Sequence, residues 1–167
     1  DSGVGGPARP DDPITRLEAV AVVVRLMGKD NVAKSLSSYP PSFTDGASIP
    51  DWGWGYVNVG STLGLLKGYP DGTFRPSNNV THAEIIAMLV RAAGLDSAVK
   101  GTWPTNYVVY GADWGITDNV DVFANLPATR AEVAIMARNT LQVDKAWDAD
   151  KQQVVDRTKD NNVITLA

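Results

Sequence analysis

The sequence predicts a mainly α-helical protein built from three diverged copies of one repeat. Tetrapeptides of the form Thr-x-x-Glu begin at Thr15, Thr81 and Thr129, and each is followed by an apolar run. Segments that begin with a tryptophan precede the second and third of these runs. Such repetition is typical of architectures in which each unit buries its apolar face against neighbouring units. We therefore expect three helices to pack together as a central bundle.

Each Thr-x-x-Glu tetrapeptide is a capping box, which marks the first turn of a helix. The Thr hydroxyl accepts from the backbone N–H three residues on, and the Glu carboxylate accepts from the Thr N–H. Apolar residues follow each Thr at spacings of 4, 7, 8 and 11, with Thr140 as the exception in the third copy, and these positions form one helical stripe. Residues at spacings of 5 and 6 are apolar too, so we expect these helices to be buried on more than one face. The stripes are Ala19, Val22, Val23 and Leu26; Ile85, Met88, Leu89 and Ala92; and Val133, Met136, Ala137 and Thr140.

The repeat extends upstream of each capped helix. Residues 5–14 align without a gap with residues 71–80, and both are rich in the Gly, Pro and Asn of loops. Residues 52–67 align with residues 103–118, which indicates a helix led by tryptophan. The unit is therefore a leading helix, a loop and a capped helix. The first copy lacks its leading helix, and the third has a shorter loop over residues 119–128.

We expect the following organisation of the whole chain. The repeats occupy residues 1–142, as an incomplete first repeat at 1–38, a second at 43–95 and a third at 102–142. Residues 29–38 are expected to contain a short helix. Residues 143–167 are expected to form a C-terminal extension or a linker toward a following domain, with short strands at Val154-Val155 and Val163-Ile164.

Composition limits the classes of function. The chain has 167 residues, of which 44% are apolar, so it can bury a core. The net charge of −4 argues against nucleic acid as a partner, because phosphate backbones are bound by clustered Lys and Arg. Cysteine is absent, which excludes disulfides and thiolate metal sites. No run approaches the ~20 apolar residues of a membrane helix, so we expect no membrane insertion.

Four motifs in order resemble the S-layer homology family. They are Phe43-Thr44-Asp45, the run Gly-Leu-Leu-Lys-Gly-Tyr-Pro-Asp-Gly-Thr-Phe-Arg-Pro at residues 64–76, Thr81-His82-Ala83-Glu84 and Thr129-Arg130-Ala131-Glu132. The resemblance covers roughly residues 3–142. It implies a pseudo-threefold module in which three helix-loop prongs surround the central bundle. It also implies that grooves between the prongs bind secondary cell-wall polysaccharide, often through a pyruvylated amino sugar.

The resemblance further implies an extracellular protein of the cell wall or S-layer. Such modules are non-catalytic anchors for S-layer proteins and surface enzymes, and we expect no metal and no cofactor. Three departures from the family pattern bear on the grooves. His82 replaces the usual Arg, the first copy is incomplete, and the third copy lacks the Gly-Asp-Gly loop. We therefore do not expect all three grooves to be equivalent.

Arg16 and Arg130 directly follow a capping Thr and are candidate ligand-binding residues. A cation in the first turn opposes the helix dipole, so it is not placed there to stabilise the helix. With free backbone N–H groups it would form an anion site, and Arg can hold a carboxylate through two parallel hydrogen bonds. We expect alanine at either position to weaken binding with little effect on folding. The alternative is an ion pair to a neighbouring prong. His82 is a polar first-turn residue, with ligand contact as its alternative role.

Three tryptophans are candidates for stacking on a sugar ring. Packing beneath the prong helix explains Trp52 and Trp103 better, because aromatic side chains mostly serve cores. Trp54 has no tryptophan counterpart in the third copy, so we expect it to be freer to meet sugar.

Three residues of the second loop are further candidates for the ligand site. Gly68 and Gly72 are candidates for close backbone approach to a ligand. Asp71 is a candidate acceptor from sugar hydroxyls, although it is first a turn residue.

Other functions have weaker support in the sequence. The tryptophan-rich prongs would equally suit contacts with neighbouring S-layer subunits. A glycan hydrolase needs two facing carboxylates, for which Asp51, Asp71 and Glu84 are candidates, but capping already explains Glu84. The acidic segments 118–121 and 148–150 do not match the spacing of a calcium loop. Arg25 and Arg91 are interpreted as helix-end or inter-prong ion pairs.

Overall fold

The structure, a computed structural model, describes residues 9–159 and is mainly α-helical, as predicted. Two short antiparallel strands follow the last helix. The elements are α1 Arg16–Leu26, α2 Asp30–Ser35, α3 Trp54–Thr62, α4 His82–Ala92, α5 Thr105–Asp113, α6 Arg130–Leu141, β1 Lys145–Asp148 and β2 Gln153–Asp156. None of the helices between residues 9 and 159 is long and apolar enough to cross a membrane.

The three predicted capping boxes are all present, at the starts of α1, α4 and α6. In each box the Thr hydroxyl accepts from the Glu N–H at 3.1–3.2 Å. The Glu Oε1 accepts from the Thr N–H at 3.0–3.2 Å. The three helices contact one another pairwise, which confirms the central bundle.

Backbone hydrogen bonds close the bundle into a ring at the N-terminal ends of its helices. The residue before each capping Thr takes part: Ile14 N–H donates to Ala128 O at 3.3 Å, Ala128 to Val80 at 2.9 Å, and Val80 to Ile14 at 2.9 Å. All three side chains are buried. These segments are thus related by a pseudo-threefold axis, and we call this arrangement the central ring.

The leading helices pack outside the bundle, α3 on α1 and α5 on α4. A glycine allows each close approach. A Cβ at Gly60 would lie 3.2 Å from Val20 Cγ1, and a Cβ at Gly111 would lie 2.7 Å from Ile86 Cγ2. No leading helix covers α6 within residues 9–159, and its Ile135 is 37% exposed.

The predicted helix within residues 29–38 is α2, which covers the outer face of α3. The contact is close, because a Cβ at Gly55 would lie only 1.8 Å from the Ala33 carbonyl oxygen. Asn58 on α3 adds a hydrogen bond of 2.7 Å to the Tyr39 carbonyl. Among the described residues, α5 has no helix in the corresponding position.

The C-terminal part of the described chain forms a hairpin that packs on the bundle. The predicted strand at Val154-Val155 lies within β2, whereas Val163-Ile164 lies outside the described residues. Ala146 is buried and Trp147 packs against the core. Arg157 donates to the Ala93 carbonyl just after α4 at 3.4 Å. The described part of the C-terminal segment therefore packs against the capped helices.

Candidate functional site

Two surface grooves lie where a leading helix meets the bundle, and they are pseudo-equivalent. The first, here the α3 groove, has a volume of about 730 Å³ and is lined by Glu18, Val22, Arg25, Trp52 and Arg130 among others. The second, here the α5 groove, has a volume of about 250 Å³ and is lined by Glu84, Met88, Arg91, Trp103 and Arg16 among others. The two sets occupy matching positions in the aligned copies.

A tryptophan and an arginine line the α3 groove from two different helices. Trp52 precedes α3 and is 53% exposed, and its ring meets Tyr56 edge to face at 6.5 Å. Arg25, at the end of α1, lies over the Tyr56 ring at 4.8 Å and contacts Asp30 at 3.4 Å. Asp30 also accepts from the Tyr56 hydroxyl. These contacts hold the arginine in place beside an accessible indole.

The α5 groove repeats this arrangement. Trp103 is 50% exposed and meets Tyr107 edge to face at 5.6 Å. Arg91 lies over the Tyr107 ring at 5.3 Å and contacts Asp96 at 3.4 Å, and Tyr107 donates to the same carboxylate. Burial and the hydrogen bond to Asp96 raise the pKa of Tyr107, so its hydroxyl stays a donor. The prediction that Arg25 and Arg91 form helix-end pairs is confirmed.

The floor of each groove is an ion pair that joins two copies. The residue after each capping Thr reaches the capping Glu of the next copy around the central ring. Arg16 pairs with Glu84, and Arg130 pairs with Glu18. Each Glu therefore caps its own helix with Oε1 and binds a neighbouring copy with Oε2.

His82 forms the third contact of this series between neighbouring copies. We call these three contacts the joints of the central ring. Its Nε2 lies 3.1 Å from Glu132 Oε1 and its Nδ1 lies 3.1 Å from the Phe123 carbonyl oxygen. The side chain is buried and lines neither groove. A role in ligand contact at His82 stays a prediction, and the structure places the residue inside the ring.

The expected anion site at the helix N-termini is wrong in one respect, because the backbone N–H groups there are not free. Arg16 N–H donates to Asn78 O at 2.8 Å, and Arg130 N–H donates to Asp12 O at 2.9 Å. The next N–H of each helix is bonded as well, at Leu17 and Ala131. Backbone carbonyl groups of a neighbouring copy accept from these N–H groups, so only side chains remain to bind an anion.

The two first-turn arginines differ in accessibility. The Arg16 side chain is 4% exposed, donates from Nε to the Phe74 carbonyl at 2.8 Å and lies over the Tyr69 ring at 4.7 Å. The Tyr69 hydroxyl in turn donates to Glu84 Oε2 at 2.7 Å. The Arg130 side chain is 33% exposed. Arg16 is therefore held by structural contacts at the base of its groove, and its burial leads us to expect that alanine there would destabilise the fold.

The tryptophans behave differently from the expected packing. Trp52 and Trp103 were expected beneath the prong helices, yet both are about half exposed and line the grooves. Trp54 was expected to be the free one, but it packs against the core and its Nε1 donates to the Ile49 carbonyl at 2.9 Å. The reason is helix phase, because Trp54 begins α3 on its inner side whereas Trp52 lies before the helix.

Only one of the three predicted loop residues lies in a described groove. Gly68 lines the α5 groove, next to Tyr69. Asp71 accepts from the Thr73 N–H at 3.0 Å and contacts Arg75, and so it is a turn residue. Gly72 adopts a left-handed backbone with φ of 80°, as the turn requires. Asp71 and Gly72 do not line the described grooves.

Sequence reasoning missed the residues that support the groove arginines. Asp30 and Asp96 each lie five residues after an arginine at the end of a capped helix, and this repeated spacing was a usable signal. Tyr69 and the exposed Lys67 also line the α5 groove without having been predicted. The role of Tyr69 depends on its contact with Arg16 of another copy, which a single repeat does not show.

Two of the capping carboxylates have lowered pKa values. Burial raises the pKa of Glu18, but hydrogen bonds from Arg130 and Thr15 outweigh it, so the net pKa lies below the usual value. Burial is likewise outweighed at Glu132 by the hydrogen bond from the Thr129 N–H and by the His82 imidazole close to the carboxylate, so its net pKa is also lowered. Both groups are therefore anionic at neutral pH. No group of three or more acidic or histidine side chains within residues 9–159 is arranged to hold a metal ion.

The fold and grooves define a class of protein: a pseudo-threefold helical module with paired aromatic and cationic surface grooves. Residues 42–86 match the S-layer homology domain, which confirms the resemblance to this family for that part of the chain.

Relatives of the chain are cell-surface proteins. It is 40% identical over 134 residues to the middle cell wall protein of Brevibacillus brevis, which is 80% of this chain and 12% of that protein. It is 37% identical over 133 residues to the surface layer protein of Brevibacillus choshinensis, again 80% and 12%. It is 37% identical over 81 residues to the cellulosome-anchoring protein of Acetivibrio thermocellus, which is 48% and 17%. The chain thus spans about an eighth of the first two relatives. It is a cell-surface chain, of the cell wall or S-layer.

Proposed function

We propose that this chain is a non-catalytic module that anchors the protein to which it belongs at the cell surface, by binding secondary cell-wall polysaccharide in the α3 groove and the α5 groove. The observation that carries this proposal is the repeated pairing of a half-exposed tryptophan with an arginine, Trp52 with Arg25 and Trp103 with Arg91, in two matching grooves. The names of the relatives, which include a cellulosome-anchoring protein, support the anchoring role.

The groove chemistry suits an anionic glycan. A flat indole offers an apolar face that matches the apolar face of a pyranose ring. An arginine binds a carboxylate, such as that of a pyruvyl ketal, through two charge-assisted hydrogen bonds. The Arg25 side chain is 55% exposed beside Trp52, so both kinds of contact are available in one groove.

The α3 groove is the stronger candidate for the main anion site. Arg25 and Arg130 are both partly exposed there, at 55% and 33%. In the α5 groove the Arg16 and Arg91 side chains are 4% and 13% exposed, and Lys67 is the exposed cation. We propose that the α5 groove contributes mainly stacking and sugar contacts.

The module boundaries are part of the proposal. We propose three repeats of the family over residues 1–142, of which residues 9–142 are described, with the β1–β2 hairpin as a folded addition. The enzyme alternative is weaker because Glu84 already binds Thr81, Arg16 and Tyr69. Contact with neighbouring S-layer subunits is the alternative partner, and Phe123 and Leu126, which are 59% and 55% exposed, would serve it.

The test is binding of the purified chain to cell-wall sacculi before and after chemical extraction of the polysaccharide. We expect binding to be lost after extraction, and Arg130→Ala to weaken it about tenfold or more, because a charge-assisted hydrogen bond contributes about 1.5–3 kcal/mol. Arg138→Ala, an exposed arginine on the same helix, is the matched control.

A second pair of variants tests stacking. Trp52→Ala is expected to weaken binding, whereas Tyr39→Ala, which removes an aromatic ring 62% exposed outside both grooves, is expected to leave it unchanged. Retention by extracted sacculi would contradict the proposal and favour a protein partner. Equal binding by Arg130→Ala and Arg138→Ala would remove Arg130 from the site.

A further inference from the structure

The tripeptide Phe43-Thr44-Asp45 contacts the loop that forms one wall of the α5 groove. It lies between α2 and α3 and lines neither described groove. The loop, here called the wall loop, covers residues 67–75 between α3 and α4. Its first part, residues 67–70, lines the α5 groove. Its last part lies outside the groove and is bound by the tripeptide.

Asp45 accepts hydrogen bonds from two consecutive backbone N–H groups of the wall loop. Its Oδ1 accepts from the Phe74 N–H and its Oδ2 accepts from the Arg75 N–H, each at 2.8 Å. Arg75 has a left-handed backbone with φ of 59°, which is uncommon for a residue other than glycine. Successive N–H groups that point to one place form a concavity that binds an anion. The Asp45 carboxylate fills this concavity and so stabilises a loop conformation that Arg75 does not favour by itself.

Phe43 and Thr44 bind the wall loop at further points. The Thr44 N–H donates to the Gly72 carbonyl at 3.0 Å. The Phe43 ring contacts the Phe74 ring, with 5.5 Å between the ring centroids. A Cβ at Gly68 would lie only 2.8 Å from Phe43 Cε1, so the backbone of the groove wall packs directly on this ring. The tripeptide therefore supports both the groove-lining part and the outer part of the loop.

The outer part of the wall loop is connected to Tyr69, the aromatic residue of the groove wall. The Tyr69 N–H donates to the Thr73 carbonyl at 2.9 Å, and the Gly72 N–H donates to the Tyr69 carbonyl at 2.8 Å. The Arg75 guanidinium lies over the Tyr69 ring at 3.7 Å. The Tyr69 hydroxyl donates to Glu84 Oε2 at 2.7 Å. Release of the Arg75 backbone would therefore remove one of the contacts that hold the Tyr69 ring in the groove wall.

We propose that Asp45 is a positioning residue for the α5 groove, because it holds Tyr69 and the adjoining wall in the conformation that receives the glycan. This inference rests on the proposed function of that groove. Asp45 itself does not line the groove and acts through the wall loop. The wall is thus ordered before the ligand arrives, so binding does not incur the cost of ordering it.

The effect of Asp45 is expected in the α5 groove alone. Pro76, which follows the wall loop, lines the α3 groove. It is held by α1, because the Leu17 N–H donates to the Pro76 carbonyl at 3.2 Å. The Arg16 N–H donates to the Asn78 carbonyl at 2.8 Å and fixes the next residues in the same way. Loss of the Asp45 carboxylate should therefore leave the α3 groove unchanged.

The first test needs no ligand and measures hydrogen exchange of the Phe74 and Arg75 amides by NMR. We expect Asp45→Ala to lose protection at both amides. Asp45→Asn offers one acceptor oxygen and is expected to protect one amide at most. Asp113→Ala, which removes an exposed carboxylate of α5 outside the groove lining, is the control and should leave both amides protected. Unchanged protection in Asp45→Ala would overturn the proposal.

The second test measures binding to cell-wall sacculi by Trp52→Ala and Trp103→Ala chains, each with and without Asp45→Ala. In the Trp52→Ala chain the α5 groove is intact, and we expect Asp45→Ala to weaken binding about two- to tenfold, the cost of ordering a released side chain. In the Trp103→Ala chain the α5 groove is already impaired, so little further weakening is expected. A purely structural role for Asp45 would give the same penalty in both chains.

The possible outcomes separate this proposal from the function on which it rests. Binding is measured where circular dichroism shows that the variants are folded, with Asp45→Asn in place of Asp45→Ala if the alanine variant unfolds. Unfolding of both variants would assign Asp45 to the fold instead. Equal penalties in the two tryptophan backgrounds, or no penalty in Trp52→Ala, would overturn this proposal alone. Absence of binding by the unmodified chain would overturn the proposed function and this proposal together.

Discussion

Arg16 is the most deeply buried arginine in the described part of the chain. Its guanidinium is almost fully buried, pairs with Glu84, donates to the Phe74 carbonyl and lies over the Tyr69 ring. Removal of one partner from such a pair leaves an uncompensated buried charge. The residue therefore contributes to the cohesion of the ring before it contributes to any groove.

We predict that Arg16→Ala lowers the free energy of unfolding by about 3–5 kcal/mol. Denaturant unfolding followed by circular dichroism measures the change. Arg130→Ala is the matched control, because its side chain is one third exposed and its pair with Glu18 is better solvated, for which we expect a loss of about 1 kcal/mol or less. Equal midpoints for Arg16→Ala and the unmodified chain would show that the buried pair is dispensable.

Local roles were predictable at this scale, and roles that depend on neighbouring copies were not. The capping function of Glu18, Glu84 and Glu132 follows from four consecutive residues. The second hydrogen bond of Glu84 comes from Arg16, 68 residues away, and that of Glu18 comes from Arg130, 112 residues away. Nothing in a capping box specifies that contact.

The leading helix α3 is held between two others, α1 on its inner side and α2 on its outer side. Gly60 permits the inner contact with Val20, and Gly55 permits the outer contact with the Ala33 carbonyl. The backbone of α2 cannot move away from a methyl group as a flexible side chain would. Gly55 is therefore the more sensitive of the two glycines.

We predict that Gly55→Ala destabilises the chain by at least about 1–3 kcal/mol, the usual cost of overpacking, in spite of the better helix propensity of alanine. Thermal unfolding followed by circular dichroism is the measurement. Ser61→Ala, at an exposed position of the same helix, should leave the melting temperature nearly unchanged. A rise in stability in Gly55→Ala would show that α2 does not pack on α3 as described.

The elements themselves followed closely from sequence pattern. All three capped helices and both leading helices form within the expected ranges, because caps and apolar periodicity are local signals. The strand β1 was not predicted, since residues 145–148 lack the alternation of a typical strand and pair only through β2. The phase of Trp52 and Trp54 also escaped prediction, because a short 3-10 turn at Asp51–Gly53 precedes α3.

At the scale of the whole molecule, the ring combines three helix caps with three joints in a single set of carboxylates. Protonation of a capping Glu therefore weakens its own helix and the contact to a neighbouring copy together. The folded-state pKa values of Glu18 and Glu132 lie below the usual 4.5. Their contribution to stability is thus complete above about that pH and is lost as pH falls through the lowered values.

We predict that the melting temperature falls steeply as pH drops below about 4.5, and that the fall is smaller in Glu18→Gln, which cannot titrate at that position. Differential scanning calorimetry across an acid pH series measures both. Asp150→Asn is a suitable control, since its side chain is exposed in the turn between β1 and β2, outside the ring. Identical dependence of the melting temperature on acid pH in Glu18→Gln and the unmodified chain would show that the acid sensitivity does not arise from this carboxylate of the ring.

The hydrogen bonds between residues 10–14 and residues 128–131 join the earliest and latest segments of the described repeats. A chain that emerges from the ribosome or a secretion channel from its N-terminus onward cannot form them until the third capped helix has emerged. Until then the Ile14 N–H lacks its Ala128 acceptor and the Glu18 Oε2 lacks its Arg130 donor. Closure of the ring is therefore the last step in the folding of the module. A nascent or truncated chain with only two capped helices stays open on one side.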